Sequence, residues 1–464
     1  MEPTKEPIKG HRKKAPESSV NIFTDCTESG EILSILRGLG RLPICFNDSC
    51  IIPLVADPNQ KIRFWSVKTL GKTKRIKNLN ILEKVAKEDE STEVRREAIS
   101  SIGRIRDKRI LPILIQFLGD ADPKVVLQAI RGLLVFKADP QVADELKKCA
   151  KHPNEMVQKI IEKEYFSKNS GKRTQQAHPE SYAFLKNVIV SGDVREILQL
   201  VPDESFHLTF TSPPYYNARD YSIYKSYQEY LNFLEQVFSK TYDKTKEGRF
   251  LIVNTSPIII PRVSRQHSST RYPIPFDIHN FLVPIGWEFI DDIVWEKPES
   301  SVKNRNAGFL QHRKPLAYKP NAVTEYLMVY RKKTDKLIDW NIRQYDSDTV
   351  NKSKVKDGYE TSNVWKIDPV YNKVHSAVFP TALCKRVIEY YSYQGDLIFD
   401  PFAGSGTLGR VAKSLGRFFF LTEKEPKYFH YMKSLYSKEG GLLEKEESRS
   451  TFLTLKEYKN TIKI

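Results

Sequence analysis

A short apolar run, a glycine-rich turn and the start of a helix follow one another at residues 397–409. Three glycines in this segment have the spacing G-x-G-x-x-G: Gly404, Gly406 and Gly409. Glycines at this spacing let the backbone approach a ligand at a helix N-terminus in an α/β sheet. The next apolar run, 417–422, ends in Glu423, which is placed to accept hydrogen bonds from ribose hydroxyls. The pattern predicts an α/β fold with a nucleoside cofactor, and a dinucleotide fits nearly the same spacing.

A second apolar run, 206–210, ends in the sequence T-S-P-P-Y at residues 211–215. A strand stops at two prolines, because each fixes φ and lacks an N–H group for the ladder. The turn therefore presents the Ser212 hydroxyl, the Pro213 carbonyl and the Tyr215 ring from a rigid strand end. These groups suit a flat ring that carries an exocyclic amine. A Pro-Pro turn after a core strand, without further function, is the alternative interpretation.

The order of the two motifs, T-S-P-P-Y and then D-P-F-A-G-S-G-T at 400–407, resembles the beta class of amino-methylating DNA methyltransferases. The resemblance extends from about residue 187 to about residue 433. It implies a circularly permuted class I S-adenosylmethionine-dependent methyltransferase, with a Rossmann-like seven-stranded sheet in an α/β domain. Seven apolar runs predict the strands of this domain: 187–190, 206–210, 249–254, 287–295, 325–330, 397–399 and 417–422. The runs 287–295 and 325–330 are expected to form an antiparallel hairpin with a long loop, 297–319, between them. The permutation implies that the run 187–190 lies beside the run 417–422. Serine at the first motif position, Ser212, resembles the cytosine-N4 enzymes, whereas aspartate is usual in adenine-N6 enzymes.

The resemblance also implies which residues form the site. The residues implied to hold the target amine are Ser212, Pro213, Pro214 and Tyr215. The residues implied to contact S-adenosylmethionine are Asp193, Thr211, Phe379, Pro380, Asp400, Pro401, Phe402, Gly404, Ser405, Gly406, Thr407 and Glu423. If the permutation holds, Asp193 contacts the adenine, and a solvent-exposed turn aspartate is the alternative. The family often has His-Pro where this chain has His375-Ser376, and His375 is interpreted as structural.

The net charge of +17 at 464 residues predicts a polyanionic partner, here double-stranded DNA. Long polar stretches rich in Lys and Arg fall within 297–360, where target recognition is expected. The candidate DNA-binding residues are Arg262, Arg265, Arg271, Lys303, Arg305, Arg313 and Lys314. Basic residues of this kind contact phosphates, so they predict affinity and not the choice of sequence.

Residues 51–166 repeat loosely with a period of about 31 residues. Each copy begins after a polar turn and is followed by a second apolar helical segment. Paired helices at such a period stack into a solenoid. The pattern resembles short HEAT-type repeats and predicts an all-α solenoid before the α/β domain. Such repeats bind protein, for example a cognate restriction endonuclease, or nucleic acid; a purely stabilising role is equally open.

These features predict five regions. They are a disordered basic tail at 1–20, helical repeats at 21–166, a linker at 167–183, the methyltransferase domain at 184–440 and a C-terminal tail at 441–464. The five cysteines include no C-x-x-C pair, which predicts a reducing cytoplasm without a metal site or disulfide framework. The family resemblance implies that this cytoplasm is prokaryotic and that the protein lies near the nucleoid. No apolar run approaches the ~18 residues of a membrane span. Cys384 is interpreted as a buried structural residue, and no Pro-Cys pair suits cytosine-C5 methylation.

Methylation of cytosine N4 in DNA is thus the first hypothesis, with adenine-N6 methylation as the nearest alternative. Methylation of structured RNA or of a protein glutamine fits the motif order less well. An NAD-dependent oxidoreductase is a weaker alternative, because residues 211–215 would then have no function. A non-catalytic repeat scaffold with a cofactor-binding domain is the alternative from a different class.

Overall fold

A computed structural model describes residues 29–42, 46–166, 180–216, 224–260, 262, 264, 266–355, 358–370, 378–439 and 449–462. The chain divides into two compact units, residues 1–175 and 176–464, here called the repeat unit and the sheet unit. Cys26, Cys45, Arg265, His375 and Ser376 lie outside the described residues, as do the predicted tail at 1–20 and most of the predicted linker. No helix in these ranges is long and apolar enough to cross a membrane.

The repeat unit is built from helices alone. They are α1 Ser29–Gly38, α2 Gln60–Thr73, α3 Leu79–Glu88, α4 Thr92–Ile105, α5 Leu111–Gln116, α6 Pro123–Leu133, α7 Pro140–Lys148 and α8 Glu155–Ile161. The helices α2, α4, α6 and α8 begin 31 or 32 residues apart, as the sequence period predicts. Polar turns cap three of them: Asn59, Asp122 and Asn154 each accept a hydrogen bond from the backbone two residues later.

Close helix packing in the repeat unit depends on small residues. A Cβ atom on Gly71 of α2 would lie 2.2 Å from the Ser101 hydroxyl of α4. A Cβ atom on Gly103 of α4 would lie 3.1 Å from the Cα atom of Gly132 on α6. Consecutive first helices therefore touch along their backbones, and their apolar faces form one continuous core.

The sheet unit contains eleven described strands. They are β1 Val188–Ser191, β2 Phe206–Thr211, β3 Thr245–Thr255, β4 Ile258–Ile260, β5 Thr270–Tyr272, β6 Trp287–Glu296, β7 Thr324–Lys332, β8 Val364–Lys366, β9 Leu397–Asp400, β10 Phe418–Glu423 and β11 Thr451–Thr454. Nine of these form one sheet in the order β11-β1-β10-β9-β2-β3-β7-β6-β8, and β4 pairs with β5. In the main sheet only β7 runs antiparallel to its neighbours.

All seven strands predicted from apolar runs occupy adjacent positions in this sheet. The predicted neighbourhood of β1 and β10 is confirmed, since Ser191 lies opposite Glu423. The predicted antiparallel pair is confirmed in β6 and β7. The sheet has two more strands than predicted, because β8 and β11 extend its edges. The prediction of a C-terminal tail is wrong for the described residues 451–462, because β11 pairs with β1 and the following helix packs on the sheet.

Helices flank the sheet on both faces. They are α9 Val194–Ile197, α10 Tyr227–Lys244, α11 Ile274–Ile285, α12 Ala307–His312, α13 Ile338–Ile342, α14 Ser347–Lys352, α15 Thr381–Tyr391, α16 Thr407–Ser414, α17 Pro426–Glu439 and α18 Leu455–Ile462. The segment between β6 and β7, predicted as a long loop, contains the short helix α12. Apolar side chains from α15, α16 and α17 cover one face of the sheet, and those from α10 and α11 pack with β3 and β7 in another cluster.

An ion pair lies inside the sheet unit, where Arg249 of β3 contacts Asp396 just before β9. Both side chains are buried. Asp396 also accepts hydrogen bonds from the Tyr345 hydroxyl at 2.5 Å and the Tyr393 backbone at 2.8 Å. Arg249 also donates to the carbonyl of His207 at 3.1 Å. The pair thereby joins β2, β3 and β9 at the edge opposite to their carboxyl ends.

We expect Arg249→Ala to lower the free energy of unfolding by about 3–5 kcal/mol, because it leaves the buried Asp396 carboxylate without its charge partner. Lys352→Ala is the control, since Lys352 forms a solvent-exposed ion pair with Asp348 and contributes little. Urea unfolding followed by tryptophan fluorescence measures both variants, because four of the five tryptophans lie in the sheet unit. Equal stability of the two variants would contradict the prediction.

Candidate active site

The two sequence motifs meet where β2 and β9 lie side by side. Leu208 and Thr209 of β2 pair with Ile398 and Phe399 of β9, and both strands end at the same edge of the sheet. From this point the chain order runs in opposite directions, with β10 and β1 on one side and β3 on the other. Open α/β sheets bind their ligands at such a switch point.

A hydrogen bond links the last residues of these two strands. The Thr211 hydroxyl donates to Oδ1 of Asp400 at 2.7 Å, and both side chains are buried. The same carboxylate oxygen accepts a hydrogen bond from the backbone N–H of Phe402 at 3.0 Å. Thr211 therefore positions Asp400 from below the site. Thr211 itself does not line the cavity that lies above these strand ends.

A cavity of about 690 Å³ opens above this point. Most of the predicted site residues line it: Asp193, Ser212, Pro213, Pro214, Tyr215, Phe379, Asp400, Pro401, Phe402, Gly404, Ser405, Thr407 and Glu423. Pro380 and Gly406 are not in its lining. Pro380 is buried at the start of α15, whereas Phe379 reaches the cavity and stacks on Phe210 with the ring centres 4.5 Å apart.

Two buried carboxylates form the floor of the cavity. Burial raises the pKa of Asp400 to about 7, although the hydrogen bonds from Thr211 and Phe402 oppose the shift. Burial likewise raises the pKa of Glu423 to about 7. Glu423 accepts backbone hydrogen bonds from Gly404 at 2.7 Å and from Glu425 at 2.8 Å. The donors named here are a hydroxyl and backbone N–H groups, and all are uncharged. A cationic ligand would therefore bring a positive charge that could stabilise the two carboxylates.

The glycines of the turn divide into two roles. Gly404 has a φ of +51° and donates its N–H to Glu423, so it shapes the cavity floor. Gly406 and Gly409 instead permit helix packing. A Cβ atom on Gly406 would lie 2.7 Å from the Met432 sulfur, and one on Gly409 would lie 2.5 Å from the Tyr436 hydroxyl, both on α17. Helix packing alone therefore accounts for glycine at positions 406 and 409, and contact of these two residues with a ligand stays a prediction.

Asp193 lies at the cavity wall, but its carboxylate already has a partner. Arg195 donates to both of its oxygens, at 3.0 and 2.8 Å, and the backbone N–H of Arg195 donates at 2.9 Å. The hydrogen bonds from Arg195 lower the pKa of Asp193. The Arg195 guanidinium also lies over the Phe233 ring of α10, 5.1 Å from its centre. A fixed aspartate–arginine pair thus forms this wall.

Tyr215 is anchored by a group of residues that the sequence analysis missed. Its hydroxyl donates to Oε2 of Glu325 at 3.2 Å. The same oxygen accepts from the Asn254 amide at 2.5 Å, and Lys297 contacts the other oxygen. Side-chain hydrogen bonds also join Tyr215 to Ser212 and Ser256, while burial raises the Tyr215 pKa well above its usual value.

Strand direction explains why these residues converge on Tyr215. Asn254 lies at the carboxyl end of β3, and Lys297 follows the carboxyl end of β6. Glu325 lies at the start of β7, which is antiparallel and so begins at the same edge. The position of Asn254 at the end of a predicted strand was a usable signal. The register of β6 against β7, which brings Lys297 close to Glu325, has no sequence signal.

The predicted DNA-binding residues that the structure describes do not line the cavity. Arg262, Arg271, Lys303, Arg313 and Lys314 are exposed, and Arg305 is half-buried. Cys384 is fully buried on α15, where burial raises the pKa of its thiol, as expected of an inert structural residue.

Residues 206–434 match the family model described as DNA methylase, and residues 79–163 match HEAT repeats. The chain is 27% identical over 270 residues to the type II beta methyltransferase M.BslI of Bacillus sp. (strain NEB-606), covering 55% of this chain and 28% of that enzyme. It is 29% identical over 240 residues to the type II methyltransferase M.ScaI of Streptomyces caespitosus, covering 50% of this chain and 74% of that enzyme.

Among solved structures, the PvuII DNA methyltransferase, which is cytosine-N4-specific, aligns with 60% of this chain and 98% of its own, at 19% identity and a TM-score of 0.42. The match to M.BslI spans less than a third of that enzyme. Residues 206–434 therefore form an N6/N4 DNA methylase domain, and residues 79–163 form HEAT repeats.

Proposed function

We propose that this protein transfers a methyl group from S-adenosylmethionine to the N4 amine of a cytosine that is flipped out of double-stranded DNA. One observation carries the proposal: Ser212, Pro213 and Tyr215 line the same cavity as Asp400 and Glu423. Groups suited to an aromatic amine and groups suited to a cationic nucleoside thus share one enclosed space. A methyl transfer needs both reactants in such contact.

The cavity suits S-adenosylmethionine in charge and in volume. The buried carboxylates of Asp400 and Glu423 complement a positively charged sulfur and ribose hydroxyls. Aromatic side chains in the lining, Tyr224, Phe233 and Phe402, provide apolar surface for a purine. A cavity of about 690 Å³ lies within the usual size range of ligand and cofactor sites. When bound, this cofactor supplies an electrophilic methyl group.

The residues of the 211–215 turn position the methyl acceptor. The amine of cytosine is a poor nucleophile, because its lone pair is delocalised into the ring. The Ser212 hydroxyl oxygen and the Pro213 carbonyl accept hydrogen bonds from the two N–H groups of the amine and direct its lone pair towards the cofactor. Fixing two reactants in line lowers a barrier by as much as ~7–11 kcal/mol. The reaction then needs no cysteine nucleophile.

Tyr215 holds the flipped base by stacking, and Glu325 holds Tyr215. The hydrogen bond from the Tyr215 hydroxyl to Glu325, itself paired with Lys297, fixes the ring before a base arrives. A ring fixed in advance loses little conformational entropy on binding. The energy of stacking is then available to offset the few kcal/mol that flipping costs.

We propose cytosine and not adenine as the target because of the residue at the first motif position. Serine there, Ser212, resembles the cytosine-N4 enzymes, whereas aspartate is usual in adenine-N6 enzymes. The net charge of +17 supports duplex DNA as the partner, and the HEAT repeats offer a further surface for DNA or for a cognate endonuclease. A prokaryotic cytoplasm is the proposed setting, since the similar type II methyltransferases M.BslI and M.ScaI are from bacteria.

We expect one sequence motif to carry N4-methylcytosine in the genome of a host that lacks its own DNA methylation, once the host expresses this protein. Sequencing that distinguishes N4-methylcytosine from N6-methyladenine makes the measurement. Detection of N6-methyladenine in the motif would mean that the target is adenine and not cytosine. No modification by a folded protein that binds the cofactor would favour a scaffold function.

We expect the affinity for S-adenosylmethionine to rise from pH 6 to pH 8. Asp400 and Glu423 have pKa values of about 7, so both are largely protonated at pH 6 and ionised at pH 8. A cationic ligand favours the ionised forms, so each carboxylate coupled to it contributes roughly a tenfold gain over this range. Calorimetric titration at several pH values measures the change.

Two variants control this pH experiment. Glu423→Gln cannot ionise at residue 423, so it should reduce the pH dependence. Asp193→Asn should not, because Arg195 lowers the pKa of Asp193 and keeps it ionised throughout. An affinity that is independent of pH in the unmodified protein would contradict the role of both buried carboxylates.

We expect Tyr215→Ala to lower kcat/KM for DNA by roughly 5- to 150-fold, the equivalent of the 1–3 kcal/mol of a base–aromatic stack. Affinity for the cofactor should remain nearly unchanged. Tyr215→Phe keeps the ring and loses only the hydroxyl that donates to Glu325, so its decrease should be smaller. Steady-state kinetics and cofactor titration measure these effects. Equal losses of DNA turnover and cofactor affinity would contradict the stacking role.

A further inference from the structure

The segment between β6 and β7, residues 297–323, is strongly basic and is here called the β6–β7 segment. From residue 300 to residue 323 it contains five Lys or Arg residues and neither Asp nor Glu. The five are Lys303, Arg305, Arg313, Lys314 and Lys319. A stretch with only positive charges suits binding to a polyanion, and it suits less well a protein surface that carries both acidic and basic residues.

Hydrogen bonds fix the base of the β6–β7 segment to the methyl-acceptor site. The backbone N–H of Lys297 donates to the carbonyl of Val323 at 2.8 Å. Asn321 accepts from the backbone of Arg305 at 2.6 Å and donates to Glu299 at 2.7 Å. The Lys297 side chain contacts Glu325, the residue that holds Tyr215. The segment therefore emerges beside the position proposed for the flipped base.

The far end of the segment exposes apolar side chains. Leu316 has a relative exposure of 103%, the highest among the large hydrophobic residues that the structure describes. Leu310 and Tyr318 are also exposed, although the Tyr318 ring contacts Phe309 with the ring centres 5.3 Å apart. A fully exposed leucine contributes no hydrophobic stabilisation to the fold.

The backbone at Leu316 is also unfavourable for leucine. Its φ is +68°, in the left-handed region that side chains with a Cβ atom avoid. A glycine or asparagine there would cause less strain. Neither burial nor backbone conformation favours leucine at this position, whereas contact with a binding partner would.

We propose that the β6–β7 segment is a DNA wedge, which inserts Leu316 into the base stack where the target base leaves it. Arg313, Lys314 and Lys319 contact the phosphates on either side. Apolar wedges of this kind enter partly unstacked base steps in other proteins that deform DNA. By filling the gap, Leu316 stabilises the flipped state and so reduces the cost of flipping. The inference rests on the proposed function and adds the residue that stabilises the opened duplex.

The test compares Leu316→Ala with the unmodified protein on two duplexes that carry the motif identified by genome sequencing. In one duplex the target base is paired, and in the other it lies opposite an abasic site. We expect Leu316→Ala to lower kcat/KM at least about tenfold on the paired duplex. On the second duplex, where no base pair must be broken, the decrease should be less than about threefold.

Leu337→Ala is the matched control, because Leu337 has a relative exposure of 69% and lies outside the segment. It should leave both rates unchanged. Full activity of Leu316→Ala on the paired duplex, or equal losses on both duplexes, would overturn the proposal. Methylation of neither duplex by the unmodified protein would instead refute the proposed function itself.

A second measurement separates a role in DNA binding from a role in the fold. Leu316→Gly removes the side chain and relieves the positive φ, so its thermal unfolding temperature should equal or exceed that of the unmodified protein. A lower unfolding temperature would mean that Leu316 stabilises the fold, and it would overturn the wedge. Arg313→Ala should weaken binding to both duplexes alike and reduce the salt dependence of binding.

Discussion

The hydrogen bond between Thr211 and Asp400 is the contact on which the site depends. It joins the last residue of β2 to the last residue of β9, across 189 positions of sequence. Because both groups are buried, removal of Asp400 would leave the Thr211 hydroxyl unsatisfied, and removal of Thr211 would take one of two hydrogen bonds from Oδ1 of Asp400. The bond therefore fixes the spacing of the two motifs, with the 211–215 turn on one side and the 400–407 turn on the other. In the proposed reaction, this pairing of strand ends would set the distance between methyl donor and acceptor.

Tight packing behind the cavity is as important as the groups that line it. Gly406 and Gly409 bring α16 against α17, and the Tyr436 hydroxyl donates to the carbonyl of Gly406 at 2.7 Å. The helix that begins at the cavity is thus held from behind by a side chain that does not line the cavity. Two glycines of this motif let the two helices approach, and the third, Gly404, donates its backbone N–H to Glu423 at the cavity floor.

The sequence was sufficient to predict the strands that are buried on both faces of the sheet, and also the helical repeats. Parallel central strands are apolar throughout, so their runs stand out, and the repeats stand out by their period. The edge strand β11 carries no such signal, because its side chains are exposed or half-buried. Glu325 and Lys297 were missed for another reason. Their meeting depends on the register of β6 against β7, and register is a property of the folded sheet. Likewise, the pairing of Asp193 with Arg195 was not predicted from the sequence and is seen only in the folded structure.

The permuted order of strands has a consequence for synthesis of the protein on the ribosome. Val188 of β1 pairs with Phe420 of β10 and with Thr451 of β11, so both neighbours of β1 are translated more than 230 residues after it. At the usual ~5–20 residues per second, the nascent chain carries β1 unpaired for on the order of 10–50 s. During that time Val188, Ile189 and Val190 present an apolar strand with two open edges. Chaperone binding to the growing chain would be concentrated there.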